Sequence, residues 1–384
     1  MTFISIQKLR FIMNIFQRVI ELSCRTIEYG LSLIHQQEPC MKPNKHVLAL
    51  TASAALLLQT PSVFAADLTV SVNGGIWQES YQRCIADAFE KETGKTVDLV
   101  LGSPAQLLNQ LAASPGQPPV DVLNIAANWG FSAAERGLVD KINPEKLPHL
   151  NEIAPQFVEA AQGDGIFFGY GAMGLAFDRT RVEAPPKTWD EFVEGTIRGD
   201  WVASMPSINY GSSAITSVWL FAHLYADDNL GDITPALEKI REMKDSGNLI
   251  FWNNVNEFLS QIKSGDVDIG MYWDGRTWAF HDEGNPNIDY INPKPGAPIA
   301  SNFIQKTKGA PDLAWKLIDI SLQSGPQGCW GSDLQYAMSN VNVKYTDQVA
   351  KRISPIDEIL IPPYAEINNH SALWTDQWNR MIGQ

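Results

Sequence analysis

Val120-Asp-Val-Leu-Asn-Ile-Ala126 is nearly unbroken apolar sequence, as expected of a strand covered on both faces. Before it, Leu68–Val72 alternates as a strand, and Tyr81, Cys84, Ile85, Ala88 and Phe89 recur at helical spacing until Gly94 stops the helix. Thr96–Leu101 reads as a second strand. Ser103-Pro104-Ala105-Gln106 then supplies an N-cap, a first-turn proline and a capping-box glutamine for a helix through Leu107, Leu108 and Leu111. Strand-helix-strand-helix-strand in this order predicts an α/β protein with an open parallel sheet, which binds ligands beyond the carboxyl ends of its strands. The segments Asn73–Trp77 and Asn128–Gly130 lie at those ends.

Downstream, Gly165–Asp178 is extended and glycine-punctuated, and the pattern then restarts. Thr188 caps a helix at Trp189, Trp201–Met205 reads as a strand, Ser213–Tyr225 as an apolar helix, and Thr234-Pro235 opens another helix that ends at Gly247. Leu249–Trp252 is a strand, Val255–Lys263 a helix, and Val267–Trp273 a strand. Residues from about 180 to 290 thus form a second α/β unit of similar design. Pro293–Pro298 reads as a return crossing. The segments Asp312–Gln323, Gly328–Gln335, Asp347–Ile353 and Leu373–Met381 are mostly helical.

The N-terminal part carries a different signal. Met41-Lys-Pro-Asn-Lys-His is followed by an apolar run from Val47 to Leu58 and by small residues at Val63 and Ala65, which together make a secretory signal peptide over 41–65. Gln59–Ser62 interrupts the run too early for a membrane span. No cysteine directly follows the cleavage site at Ala65, which argues against a lipid anchor and for a free periplasmic protein. Residues 1–40 precede a complete signal and read as an upstream extension, with Met41 the expected start.

With six basic and three acidic residues in 1–65, the mature chain carries 23 Lys/Arg against 40 Asp/Glu, a net charge of −17. That balance argues against phosphate backbones or anionic membranes as partners. Of four cysteines only Cys84 and Cys329 remain in the mature chain. In an oxidising compartment a disulfide between them and two buried free thiols are both open on spacing alone.

Chemistry-bearing motifs are few. Gly169-Tyr-Gly-Ala-Met-Gly174 matches Gly-x-Gly-x-x-Gly, but an extended segment follows it instead of the helix a dinucleotide needs. The histidines His149, His223, His281 and His370 are scattered, no Cys/His cluster has metal-ligand spacing, and no nucleophile elbow is present. No cofactor and no metal are expected. Trp77, Trp129, Tyr170, Tyr210, Trp252 and Trp273 all fall at strand ends or loop starts. Each could be core, but together they supply the aromatic walls a small-molecule cleft requires. The strand Val267–Trp273 feeds Asp274-Gly-Arg-Thr-Trp278, a turn in which two tryptophans bracket an acid and a guanidinium. Such a turn is either a seat for a small charged solute or a solvated surface loop.

At Phe89-Glu-Lys-Glu-Thr-Gly94, Gly137-Leu138-Val139, Pro185-Pro-Lys-Thr-Trp-Asp-Glu-Phe192, Ile262-Lys-Ser-Gly-Asp266 and Pro293-Lys-Pro-Gly-Ala297, the chain resembles the periplasmic solute-binding proteins of ABC transporters, spermidine/putrescine-binding branch. The resemblance covers essentially residues 67–384. It implies the type 2 periplasmic binding fold: two lobes, each a mainly parallel sheet flanked by helices, joined by two hinge segments. Lobe 1 would span 66–177 and lobe 2 178–295, with 296–384 returning to lobe 1 with the C-terminal helices. The hinges would lie near Gly174–Asp178 and Asn292–Ser301. Cys84 and Cys329 would then share a lobe, which favours their bond.

Polyamine-binding members place an acid where Arg276 stands and another near Asn302, and some carry a carboxylate in the Pro206–Asn209 segment. A guanidinium there would repel a polyamine. Arg276 is suited to forking onto a carboxylate, Asp274 to an amine, and Asn302 to polar specificity. The expected function is therefore non-enzymatic capture of a small charged solute, an amino-acid-like or other carboxylate compound, by a periplasmic monomer that presents it to an inner-membrane permease. The alternatives are polyamine binding and, more distantly, a secreted enzyme using Asp274 as acid or base. Arg276 could also pair with Asp274 or a neighbouring acid and never touch ligand. Iron ranks low, since Tyr336 and Tyr345 are separate in sequence.

Overall fold

A computed structural model describes residues 66–383; the expected extension over 1–40 and the signal peptide over 41–65 lie outside the described residues. The three opening strands are β1 (Leu68–Val72), β2 (Val97–Leu101) and β3 (Val122–Ala126), and β1 pairs in parallel with both others. Helices Asp87–Thr93 and Pro104–Ala113 connect them. The first stops at Gly94 in the left-handed conformation, φ 69°. The second starts where Ser103 Oγ accepts from the Gln106 amide at 3.3 Å, a cap that contributes about 1 kcal/mol.

Next come β4 (Ile166–Asp178), β5 (Ala203–Pro206), β6 (Leu249–Trp252), β7 (Ile269–Trp273) and β8 (Ile288–Ile291). They are followed by β9 (Ala297–Lys306) and two short strands, β10 (Ala337–Met338) and β11 (Ile359–Leu360). The main order is β2-β1-β3-β9-β4-β7-β5-β6. Both flanks are parallel, while β9 and β4 run antiparallel to their neighbours in the middle. β4 is the joint: Ile166–Ala172 pairs with β9, and Met173–Phe177 pairs with β7. All thirteen β4 residues are buried.

β9 departs from the sequence reading, which ended the return crossing at Pro298 and assigned no strand beyond it. Ala297-Pro-Ile-Ala-Ser-Asn-Phe-Ile-Gln-Lys306 is rich in Ala and polar residues and carries little strand propensity. Tertiary hydrogen bonds make its polar positions compatible with the interior. Ser301 Oγ donates to Gly169 O at 2.7 Å, Gln305 Nε2 to the carbonyls of Gly130 and Asp164, and Lys306 Nζ pairs with Asp140 at 2.6 Å.

The Gly-x-Gly-x-x-Gly run is explained by packing within β4. A Cβ on Gly169 would come within 2.9 Å of Met338 Sδ, one on Gly171 within 2.5 Å of the Tyr336 ring, and one on Gly174 within 2.3 Å of Ile291 O. Only glycine lets the 336–338 and 290–291 segments close onto this strand.

The last helix, Tyr364–Met381, also departs from a simple return to the first lobe. Near its start Tyr364 Oη donates to Ile299 O and Asn368 Nδ2 to Asn128 O, both on the β1–β3 side. Near its end Trp374 Nε1 donates to Leu230 O, and Trp378 meets Phe251 edge-on at 5.4 Å, both on the β5–β7 side. At roughly 1.5 Å per residue, an 18-residue helix is long enough to reach across.

Cys84 and Cys329 form a disulfide with Cα atoms 5.6 Å apart, tying the segment Gln82–Ala86 to helix Ser324–Leu334 across 245 residues. A cross-link closing so long a loop restricts the unfolded chain strongly. Its removal in the Cys84→Ser/Cys329→Ser variant is expected to cost about 2–4 kcal/mol, read as a lower melting temperature that added reductant no longer changes.

Candidate functional site

A cavity of about 250 Å³ opens at the carboxyl ends of β1, β3 and β7. Asn73 follows β1, Ala126 ends β3 beside its register partner Asn302 in β9, and Tyr170 and Gly171 come from β4. Trp273 ends β7, with Arg276 in the first turn of the next helix. Trp77, Trp330 and Tyr336 close the β1–β3 side, and Tyr210 and Ser212 the β5–β7 side. The aromatic wall is continuous: Trp77 meets Trp330 edge-on at 5.1 Å and Tyr336 at 5.6 Å. Across the cavity, Trp273 Nε1 donates to Tyr210 Oη at 2.9 Å. Asn302 Nδ2 donates to Asn124 Oδ1 at 2.9 Å, which fixes the orientation of the Asn302 amide.

The segment read as a turn after Trp273 is a helix, Asp274–Asp282, and this separates the two charges expected to act together. Asp274 is fully buried and does not line the cavity. Its carboxylate accepts from the Gly275 amide at 2.7 Å and from Ser354 Oγ at 2.8 Å, so it ties the helix start to the Ser354 loop. Gly275 allows the close approach, because a Cβ there would lie 2.9 Å from Gln335 O. Arg276, by contrast, is exposed and lines the cavity. Among the described residues it makes no ion pair within 4.0 Å, and it is the only charged side chain on the cavity wall. Burial raises the phenols of its neighbours Tyr210, Tyr272 and Tyr336, which are therefore uncharged at neutral pH.

Burial pushes the Asp274 carboxyl up to about 7, against the hydrogen bonds from Ser354 and Gly275 that pull it down. The folded-state pKa then lies above the unfolded value of about 3.9. The stability it adds is fully present below about pH 4 and is lost as pH rises through about 7. Asp274→Asn is therefore expected to gain stability over the wild type progressively from pH 5 to pH 8. Parallel melting curves across that range would refute this if the two proteins shifted together.

Of the expected site residues, Trp77, Tyr170, Tyr210, Trp273, Arg276 and Asn302 meet at the cavity. Tyr170 is committed elsewhere through its hydroxyl, which donates to Ser354 O at 3.0 Å. Trp129 instead packs in the small core around Leu107 and Leu123, because its segment begins a helix, Ala127–Glu135, where a loop was expected. Trp252 is fully buried, 4.6 Å from the Tyr210 ring, and supports the wall from behind. Trp278 faces away: its indole N–H donates to Arg352 O, and the Arg352 guanidinium sits 4.9 Å from its ring.

Ser212, Trp330 and Tyr336 were missed by the sequence reading, and Asn73 was placed in a ligand-side segment without being named as a site residue. Asn73 carried a signal, since it directly follows a strand facing the predicted ligand side. Trp330 and Tyr336 carried none, because their segment crosses from the far end of the chain and only tertiary packing brings it there. Tyr345 is not a partner of Tyr336 at the cavity; its hydroxyl accepts from the Met338 amide at 2.7 Å.

Residues 85–353, well over half of the chain, match the family described as bacterial extracellular solute-binding protein. The chain belongs to that family. Solved structures agree on the fold of this solute-binding protein. An extracellular solute-binding protein from Bordetella parapertussis superposes with a TM-score of 0.77 at 24% identity, covering 82% of this chain and 98% of that one. An ABC transporter protein from Clostridium perfringens does so with a TM-score of 0.72 at 18% identity over 82% and 99%. A periplasmic binding protein from Agrobacterium tumefaciens R10 in complex with agropinic acid gives 0.59 at 20% identity over 84% and 100%. By sequence the chain is also 20% identical over 125 residues to a norspermidine sensor of Vibrio cholerae, spanning 33% of this chain and about a third (34%) of that relative. Among the described residues no helix is long and apolar enough to cross a membrane.

Proposed function

We propose that this solute-binding protein captures a small anionic solute, a carboxylate compound, and delivers it to the permease of an ABC importer. The observation that carries the reading is Arg276: a cation without an ionic partner among the described residues, on a cavity that both halves of the sheet line. A guanidinium so placed is suited to a bidentate carboxylate. Secretion through the signal peptide ending near Ala65 would put the protein in the periplasm. It is read as a receptor and not an enzyme, since Asp274, the acid that the sequence offered for catalysis, is fully buried and outside the cavity lining.

Two relatives of the same fold support an acidic ligand, since their complexes hold agropinic acid and fructose-6-phosphate. The norspermidine sensor favours a polyamine instead, but among the described residues no Asp or Glu lines the cavity to meet ammonium groups. Lobes over 66–177 and 178–295, with 296–384 returning, would close about β4 and the Asn292 region. Ligand touching both sides would bias that equilibrium.

Trp77, Trp273 and Trp330 line the cavity, so intrinsic fluorescence reports occupancy directly. Saturable quenching or enhancement by carboxylates, with compaction in small-angle scattering and recovery of the compound unchanged, is the expected result. Turnover of the compound, or binding of putrescine with no response to carboxylates, would sink the reading.

A further inference from the structure

We infer that the solute is a monovalent carboxylate carrying no ammonium group. This narrows the anion-capture reading and rests on it. The cavity sets a charge count for any solute it encloses. Charges buried there must be matched, because an unpaired ion in a low-dielectric site costs several kcal/mol. Among the described residues the cavity wall presents one positive group, Arg276, and no carboxylate.

A phosphate dianion or a dicarboxylate would leave one negative charge unmatched. An amino acid would leave its ammonium unmatched, since Asp274 is fully buried and already accepts from Gly275 and Ser354. A monocarboxylate balances Arg276 and leaves no remainder.

The rest of the wall describes the body of the molecule. Asn73, Ser212 and Asn302 offer neutral hydrogen bonds, and Trp77, Trp273 and Tyr336 offer flat faces. That combination suits hydroxyl groups on a ring or short chain with apolar C–H surface. At about 250 Å³ the space is at the small end for ligand pockets, which favours a single metabolite-sized unit over an oligomer.

The test is a titration of the full-length mature protein, followed by tryptophan fluorescence and thermal shift at pH 7.5. The panel holds gluconate, 4-hydroxybenzoate and lactate as monocarboxylates, malate and glucose 6-phosphate as dianions, alanine and glutamine as zwitterions, and putrescine as a dication. At least one monocarboxylate is expected to bind tenfold or more tighter than every dianion and zwitterion. Tighter or equal binding of a dianion would overturn the charge count while leaving anion capture standing, and tighter or equal binding of a zwitterion would overturn the charge count and leave only the Arg276–carboxylate contact standing. A response to putrescine alone, or silence from every monocarboxylate, dianion and zwitterion, would overturn both.

Discussion

Replacing Arg276 with glutamine is expected to weaken carboxylate binding about 30-fold to several hundred-fold, on the scale of 2–4 kcal/mol for truncating one partner of a desolvated charge pair. The fold should tolerate the change. Arg276 is exposed and holds no ion pair among the described residues, so nothing in the packing depends on its charge. An unchanged melting temperature of the ligand-free variant would separate lost binding from lost structure. Arg276→Lys keeps the charge but not the two-pronged geometry and is expected to fall between the two. Arg276→Glu should abolish carboxylate binding outright and make the wall attractive to putrescine, since Asn302 and the aromatic faces stay in place. Isothermal titration of these variants against the tightest carboxylate decides the matter. Equal affinity in wild type and Arg276→Gln would show that the guanidinium never touches ligand.

Trp374→Ala is expected to be the most damaging substitution for stability, at about 3–5 kcal/mol for removing a fully buried tryptophan. The cost combines a large cavity with the loss of the Trp374 Nε1 hydrogen bond to Leu230 O at 2.9 Å, which leaves that carbonyl without its partner. The position adds a second consequence. Tyr364 and Asn368 hold the same helix to Ile299 and Asn128, so Trp374 is one of the contacts by which the helix straps the β5–β7 side to the β1–β3 side. Loss of hydrogen-exchange protection should therefore spread to Leu230–Ile233 and to residues 370–382, and spare β1–β3. Uniform loss of protection throughout the chain would mean that Trp374 is ordinary core and that the helix does not act as a strap.

Much of the architecture was legible because its signals are local. The strands β1 to β3, β6 and β7 stand out by apolar runs of strand length, and the helix at Pro104 by its serine cap and first-turn proline. The sides of the cavity at Asn73–Trp77 and after β7 followed from the rule that ligands sit beyond strand carboxyl ends. β9 was not legible, because its alanines and polar residues become strand only through β3, β4 and the carbonyls that receive Gln305 and Ser301. Trp252 and Trp129 show the converse error. Their place near strand ends was read correctly, but sequence cannot tell which face of a tryptophan meets solvent and which meets core.

By itself, the sequence determined the α/β alternation of strands and helices, the run of aromatic residues at strand ends, and the arginine that follows the strand ending at Trp273. Those properties reside in residue identity and short-range periodicity, which survive without coordinates. Only the tertiary structure decided that Asp274 and Arg276, two residues apart, have opposite fates. Starting a helix at Asp274 turns its side chain inward to Ser354 while Arg276 reaches the cavity. Only the structure, too, brought Trp330 and Tyr336 from the far end of the chain to complete the wall. The physical reason is the same in both cases: burial and long-range contact depend on what packs against a residue, and that partner is distant in sequence.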